Sequence, residues 1–217
     1  MAKNKAPRVK TSEVRLSFVH LAEPYKFDPN DANEEGKYSV SAIIRKDDAN
    51  TLNALKQDYN LAMESGIQKY GEAFKRRATP MIRPQGSNKG ILVDCDADDR
   101  YKDNADYKGC YIIQAKSKTP APVYALETGR KQLSTQEIKD LVYSGCYGKV
   151  LLNLYPYSNK DTGIAIGLDS VLKTRDGENL GSRVNAMDYF GDDIENAAND
   201  LLGSGNDLLG GSDDLPF

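Results

Sequence analysis

CYGKVLLNLYPYSN, residues 146–159, is the stretch whose reading decides the fold. Successive side chains of a strand point to opposite faces, so the stretch sorts by parity. Cys146, Gly148, Val150, Leu152, Leu154 and Pro156 make a face that suits a core. Tyr147, Lys149, Leu151, Asn153, Tyr155 and Tyr157 make the other, and three tyrosines with a lysine are an unusual solvent face. Phenol rings beside a cation give bases a surface to stack on and a phosphate a partner, the combination used by sites for single-stranded nucleic acid. Tyrosine is also common at barrel rims, with the ring buried and the hydroxyl wet, so packing stays open for each ring taken singly.

Outward from this strand, GIAIGLDSVLKTRDG (163–177) reads as its hairpin partner across a turn at Ser158 to Gly163. EVRLSFVHL, KYSVSAIIRK, ILVDC, GCYIIQAKSK and a short APVYAL supply further strands. Between the first two, AEPYKFDPNDANEEG is loop chemistry around an extended Tyr25-Lys26-Phe27. The period changes after Asp47 and Asp48. Leu52, Leu55, Tyr59, Ala62, Met63, Ile67, Tyr70 and Phe74 recur at helical steps, Lys75, Arg76 and Arg77 fall in the last turn, Pro80 ends the helix and Gly66 marks a break in it. A short helix, STQEIKDLVYSG, opens on a Ser134/Glu137 capping box. The expected fold is mainly β with helical insertions, a small antiparallel barrel with one long and one short helix. The regular strand-helix alternation of a nucleotide-binding sheet is missing.

Parity gives further polar faces that could line one groove. Lys37, Ser39, Ser41 and Arg45 oppose Tyr38, Val40, Ala42 and Ile44, while Gln114, Lys116 and Lys118 oppose Tyr111, Ile113 and Ala115. Basic residues also sit beside aromatics at Arg100-Tyr101-Lys102 and Tyr107-Lys108. The candidate nucleic-acid contacts are therefore Tyr147, Lys149, Asn153, Tyr155, Tyr157, Lys116, Lys118, Lys37, Arg45, Lys102 and Tyr107.

Charge divides the 217 residues. All 29 basic residues lie within 1–191 beside 25 of the 32 acidic ones, a net +4, whereas 192–217 holds seven acidic residues and no basic one. The sign that matters for a polyanionic partner is that of each segment. The expected organisation is a flexible basic arm over 1–11, one domain over 12–191 and a disordered acidic tail over 192–217. The tail finishes on Asp213, Asp214, Leu215, Pro216 and Phe217, and an apolar residue at the very end is placed to be bound by another protein.

Other chemistry is sparse. Three scattered cysteines and a single histidine cannot build a structural zinc site, and the cysteines read as reduced, partly buried thiols. No apolar run is long enough to span a bilayer and no signal peptide opens the chain, so a cytoplasmic location is expected. No phosphate-binding loop, nucleophile elbow or cofactor motif is present. VDCDADD (93–99) resembles the start of a calcium loop, but Asp99 stands where glycine is needed and Ala105 where a bidentate glutamate is. The second reading, a metal-dependent nuclease or related DNA-processing enzyme, would use the Asp94–Asp99 carboxylates.

LVYSGCYGKVLLNLYPYSNKDTGIAIGLDSVLKTRDGENLG, with the long helix and AKSKTPAPV, resembles the single-stranded DNA-binding proteins of tailed bacteriophages, which carry an elaborated OB-fold. The likeness runs through most of 10–190. The Asp213-Asp214-Leu215-Pro216-Phe217 tip is similar to the Asp-Asp-Ile-Pro-Phe tip of bacterial single-stranded DNA-binding proteins, with leucine for isoleucine and a thinner acidic stretch before it. The resemblance implies a non-enzymatic protein that binds single strands with little sequence preference in replication, recombination or repair. It also implies a tip that recruits partner enzymes, and residence in the host cytoplasm. A homo-oligomer is compatible with the sequence.

Overall fold

The computed structural model describes residues 8–28, 35–159 and 161–180. The first residues of the expected arm and the whole acidic tail with its tip lie outside them. In chain order the elements are β1 (Val9–Lys10), β2 (Val14–Tyr25), β3 (Lys37–Arg45), α1 (Ala49–Tyr70), α2 (Ala73–Arg77), β4 (Leu92–Asp94), β5 (Cys110–Ser117), β6 (Val123–Ala125), α3 (Thr135–Leu141), β7 (Tyr147–Ser158) and β8 (Thr162–Arg175).

Five strands close into a ring in the order β7-β2-β3-β5-β8, with β8 pairing back onto β7. Closure leaves few free edges, the main one being the stretch of β7 beyond Leu152. All links are antiparallel except β5 to β8, which run parallel where Lys116 meets Gly167. The expected barrel is therefore formed, with a parallel seam: β8 comes back from the β7 hairpin on the far side of β5 and must share its direction. A five-stranded Greek-key ring of this kind is the OB-fold. β1, expected to be part of a loose arm, is pinned instead, because Val9 is buried and pairs with Leu152.

Leu16, Val40, Ile44, Ile113, Val123, Val150 and Leu152 fill the barrel, and Leu55 and Ala62 of α1 seal one side. Asp48 caps α1 by accepting the Thr51 N–H at 3.1 Å. The expected single long helix is two. α1 stops at Gly71, whose φ of 82° is open to glycine and strained for other residues, and α2 follows as a separate turn. Gly66 is not the break. The Phe74 ring lies against it so closely that no side chain fits, and this seats α2 on α1. Burying such a ring is worth about 1.5–3 kcal/mol. α3 carries the expected capping box between Ser134 and Glu137.

A second, smaller core lies outside the barrel. β4 and the loop to Cys110 fold over β3 and β5, burying Ile43, Val93, Cys95, Tyr107, Cys110 and Ile112. Consequently the expected polar face of β3 is covered over most of its length, and Ser39 and Ser41 are buried. All three cysteines are buried and free. Among the described residues no helix is long and apolar enough to cross a membrane.

Candidate nucleic-acid interface

β7 obeys the parity of its sequence, whereas β8 carries an extra residue opposite the Tyr147–Gly148 step and another opposite the Leu151–Leu152 step, so its parity shifts at each. Val150, Leu152 and Leu154 point inward, matched across the ladder by Val171, Leu168 and Ile166. On the outer face Asn153 stands opposite Gly167, Tyr155 opposite Ala165 and Tyr157 opposite Gly163. The GIAIGL motif thus interleaves large inward residues with small outward ones. The small ones make room: the Asn153 amide lies over Gly167 and donates to Asp169, and the Tyr157 phenol lies over Gly163 beside Thr79. Tyr155 is 48% exposed.

Register carries this face across the barrel. Asn153 pairs with Gly167, Gly167 with Lys116, Lys116 with Ser39 and Ser39 with His20, so one lateral row crosses five strands on the outer side of the barrel, exposed at Lys116, part-buried at Asn153 and His20, and buried at Gly167 and Ser39. Cross-strand partners share a face. One step along, Lys37 pairs with Tyr25, and the Tyr25 ring stacks on His20 with centroids 4.4 Å apart. Tyr25 is half exposed, and Gln114, Lys116 and Lys37 are exposed. Burial of the His20 ring pushes its pKa below the usual value, which keeps the imidazole neutral near pH 7. Phe18 stands at the edge of this face in a bulge of β2, with φ of 47° and about half its surface exposed. An aromatic residue in that region of backbone space is strained, and such strain collects at functional positions.

Asn153, Tyr155, Tyr157, Lys116 and Lys37 are thus brought together, with Lys118 just beyond β5 and bonded to Glu35 at 2.6 Å. Five expected contacts are placed elsewhere. Tyr107 is buried, its hydroxyl 3.1 Å from Ser17 Oγ and its ring against Tyr101, so it holds the small core and offers no stacking surface. Tyr147 is sandwiched: the Arg175 guanidinium sits 3.4 Å from its centroid and Gly177 packs on the ring. Lys149 lies opposite Leu172, six residues from Tyr155, or about 20 Å of strand. Arg45, at the far end of β3 from Lys37, forks onto Asp47 at 2.7 and 2.9 Å, and Lys102 pairs with Asp99 at 2.7 Å.

His20, Tyr25 and Phe18 are what sequence reasoning missed or left unassigned. Strict alternation puts Phe18 and His20 on one face and Ser17 on the other. The bulge between Ser17 and His20 adds a residue and brings Ser17 and His20 to the same side.

The acidic loop does not collect a metal site. Lys46 binds Asp94 at 2.6 Å and Asp96 at 2.7 Å, and Arg100 binds Asp98 at 2.7 Å with Arg83 behind it at 3.8 Å. Those guanidiniums hold the Asp98 carboxyl down at about 2. Asp94, Asp98 and Asp99 line a cavity of about 320 Å³ in company with Arg83 and Arg100, and no group of three or more residues able to hold a metal occurs among the described residues. The arrangement neutralises the aspartates locally and gives the nuclease reading no support.

The protein designated p50 of Acyrthosiphon pisum secondary endosymbiont phage 1 is 26% identical over 187 residues, covering 83% of this chain and 93% of that protein. The single-stranded DNA-binding protein from bacteriophage Enc34 in complex with ssDNA is 28% identical, covers 82% of this chain and 91% of its own, and superposes with a TM-score of 0.63. Gp2.5, a single-stranded DNA-binding protein encoded by bacteriophage T7, shares the fold at 13% identity and a TM-score of 0.51, over 95% of this chain and 98% of its own. The family model described as Enterobacter phage Enc34, ssDNA-binding protein, matches residues 7–202. The chain therefore belongs to the Enc34 phage single-stranded DNA-binding protein family.

Proposed function

We propose that this protein binds single-stranded DNA with little sequence preference and acts without catalysis of its own. The observation that carries the reading is the lateral row from Asn153 through Gly167, Lys116 and Ser39 to His20, flanked by Tyr155, Tyr157, Tyr25 and Lys37. Stacked bases need π faces and a nearby cation for each phosphate, and this surface supplies both without the polar fork geometry that reads one base. The solved Enc34 relative holding ssDNA supports the assignment.

In this reading the acidic tail is a second device. Seven negative charges tethered to a net-positive body act at an effective concentration of millimolar order, so the tail competes with DNA for the basic face. Asp213, Asp214, Leu215, Pro216 and Phe217 present an apolar tip, a terminal carboxylate and flanking anions to a basic-rimmed pocket on replication or recombination enzymes. The protein then protects single strands and gathers enzymes on them, in the cytoplasm of the phage's host.

Titration of the full chain and of a chain lacking 192–217 against oligo-dT and duplex, at two salt concentrations, tests the reading. Oligo-dT is bound by both proteins, more tightly by the shortened one. Absence of oligo-dT binding in both would sink the reading.

A further inference from the structure

Many described cations are matched by carboxylates: Arg45, Lys46, Lys89, Arg100, Lys102, Lys118, Lys131 and Lys139 all make ion pairs of 2.5–2.8 Å. α2 gathers three unmatched ones in a row. Lys75, Arg76 and Arg77 are consecutive, exposed and without an ion-pair partner among the described residues. The helix dipole favours cations in this last turn, but three adjacent unmatched ones also repel one another, and an anion from outside would relieve that repulsion.

α2 is held firmly in spite of its length. Phe74 is buried beneath it, fitted against Gly66 and stacked on Tyr70 at 5.6 Å. From Arg77 the chain runs two residues to Thr79, about 7 Å at most. Thr79 is fixed twice: its carbonyl accepts the Tyr59 hydroxyl at 2.9 Å, and its Oγ1 accepts the Ile164 N–H at 3.1 Å. The same Oγ1 abuts Gly163 on the side covered by the Tyr157 phenol. The cation triplet is thus anchored next to the Tyr157 end of the stacking face.

We propose that Lys75, Arg76 and Arg77 are a phosphodiester-binding extension of that face, taking the backbone of the strand where it runs past Tyr157. This rests on the single-strand reading above and lengthens its footprint beyond the bases that the tyrosines stack. The ligand class is a run of backbone phosphates, bound by charge and without base readout.

The test uses the full chain carrying Lys75→Gln, Arg76→Gln and Arg77→Gln together, with oligo-dT of about 8 and about 30 nucleotides, chosen around the span of one OB-fold site. The side chains are exposed, so an unchanged melting temperature is expected and checks the fold. On the long oligonucleotide, affinity falls about tenfold at low salt and the slope of log K against log salt shrinks by about 2, at roughly 0.7 per phosphate released. On the short one, affinity stays within about twofold. An unchanged slope on the long strand overturns the proposal, as does an equal loss on both lengths. A loss that vanishes when 192–217 is removed also overturns it, because the triplet would then be acting on the acidic tail. A Tyr155→Ala, Tyr157→Ala chain run in parallel separates the two claims. If it binds both lengths normally, the stacking face is wrong, whatever the triplet does.

Discussion

Asp58 of α1, 3% exposed, accepts the backbone N–H of Leu154 in β7 at 3.0 Å. The pairing of β1 with β7 ends at Leu152, so the strand edge beyond it would carry a buried, unmatched donor without this carboxylate. Removing the acceptor leaves the N–H buried and alone, and Asp58→Ala should cost about 1–3 kcal/mol. Chemical denaturation measures it, and a loss under about 0.5 kcal/mol would deny the edge-capping role.

The same carboxylate has a pH signature. Burial raises its pKa above the usual carboxylate range, the Leu154 N–H only partly opposes this, and Oδ1 finds no partner. A group whose folded pKa is raised binds its proton more tightly when folded, so it favours folding at low pH and loses that contribution as pH climbs past the ordinary range. Asp58→Asn keeps the acceptor and drops the titration. Its melting temperature relative to the parent should therefore rise between about pH 4 and pH 7. A constant difference across that range would refute the claim.

Tyr147 and Tyr155 share a strand and a face, yet their environments give them different work. Tyr147→Ala loses the Arg175 stack and the packing of Gly177, a stability effect of about 1–3 kcal/mol, with affinity for oligo-dT kept within about twofold. Tyr155→Ala leaves stability within about 0.5 kcal/mol and costs about 1–3 kcal/mol of binding. Denaturation and tyrosine-fluorescence titration of both variants decide the matter, and the reverse pattern would move the site to the Tyr147 end.

Why two tyrosines of one parity meet such different surroundings is a matter of range. Alternation within CYGKVLLNLYPYSN is local, and β7 keeps it through Leu154 although its ladder with β8 slips register twice. What covers a face is decided by distant segments: Arg175 for Tyr147, Ser17 for Tyr107, and the loop before Cys110 for Ser41. The pairing of Lys116 with Gly167, which joins the two halves of the candidate site, spans 51 residues through a parallel seam that no local pattern announces. The bulge at Phe18 reverses parity within β2 and hid His20. The helix was legible to its ends because its apolar period is local, while its division at Gly71 depended on where Phe74 found a seat.

Lys173 is 2% exposed at one end of the barrel, with Glu127 at 2.9 Å and Asp176 at 2.8 Å. Burial works against its charge, but the two carboxylates outweigh it and hold its pKa above the usual lysine value. A buried pair adds little over an apolar substitute, whereas a stranded buried charge is expensive. Both carboxylates reach solvent, which screens the pair, so Lys173→Met should change stability by less than about 1 kcal/mol, and Glu127→Gln with Asp176→Asn should cost about 1–2 kcal/mol. Equal losses in the two denaturation curves would show that the ion pair itself carries the stability.

The His20–Tyr25 stack should make DNA binding sensitive to acid. Burial keeps the His20 pKa below its usual value, so the free protein presents a neutral imidazole on the row that includes Lys116. A phosphate drawn onto that row favours the imidazolium, so binding takes up a proton once pH falls towards the folded pKa. Affinity for oligo-dT at fixed ionic strength should therefore climb from pH 7.5 to about pH 5.5, with a limiting slope of about one log unit per pH unit. His20→Phe retains a ring against Tyr25 and removes the proton, and its profile should be flat over that interval. A parent profile equally flat would place His20 outside the path of the strand.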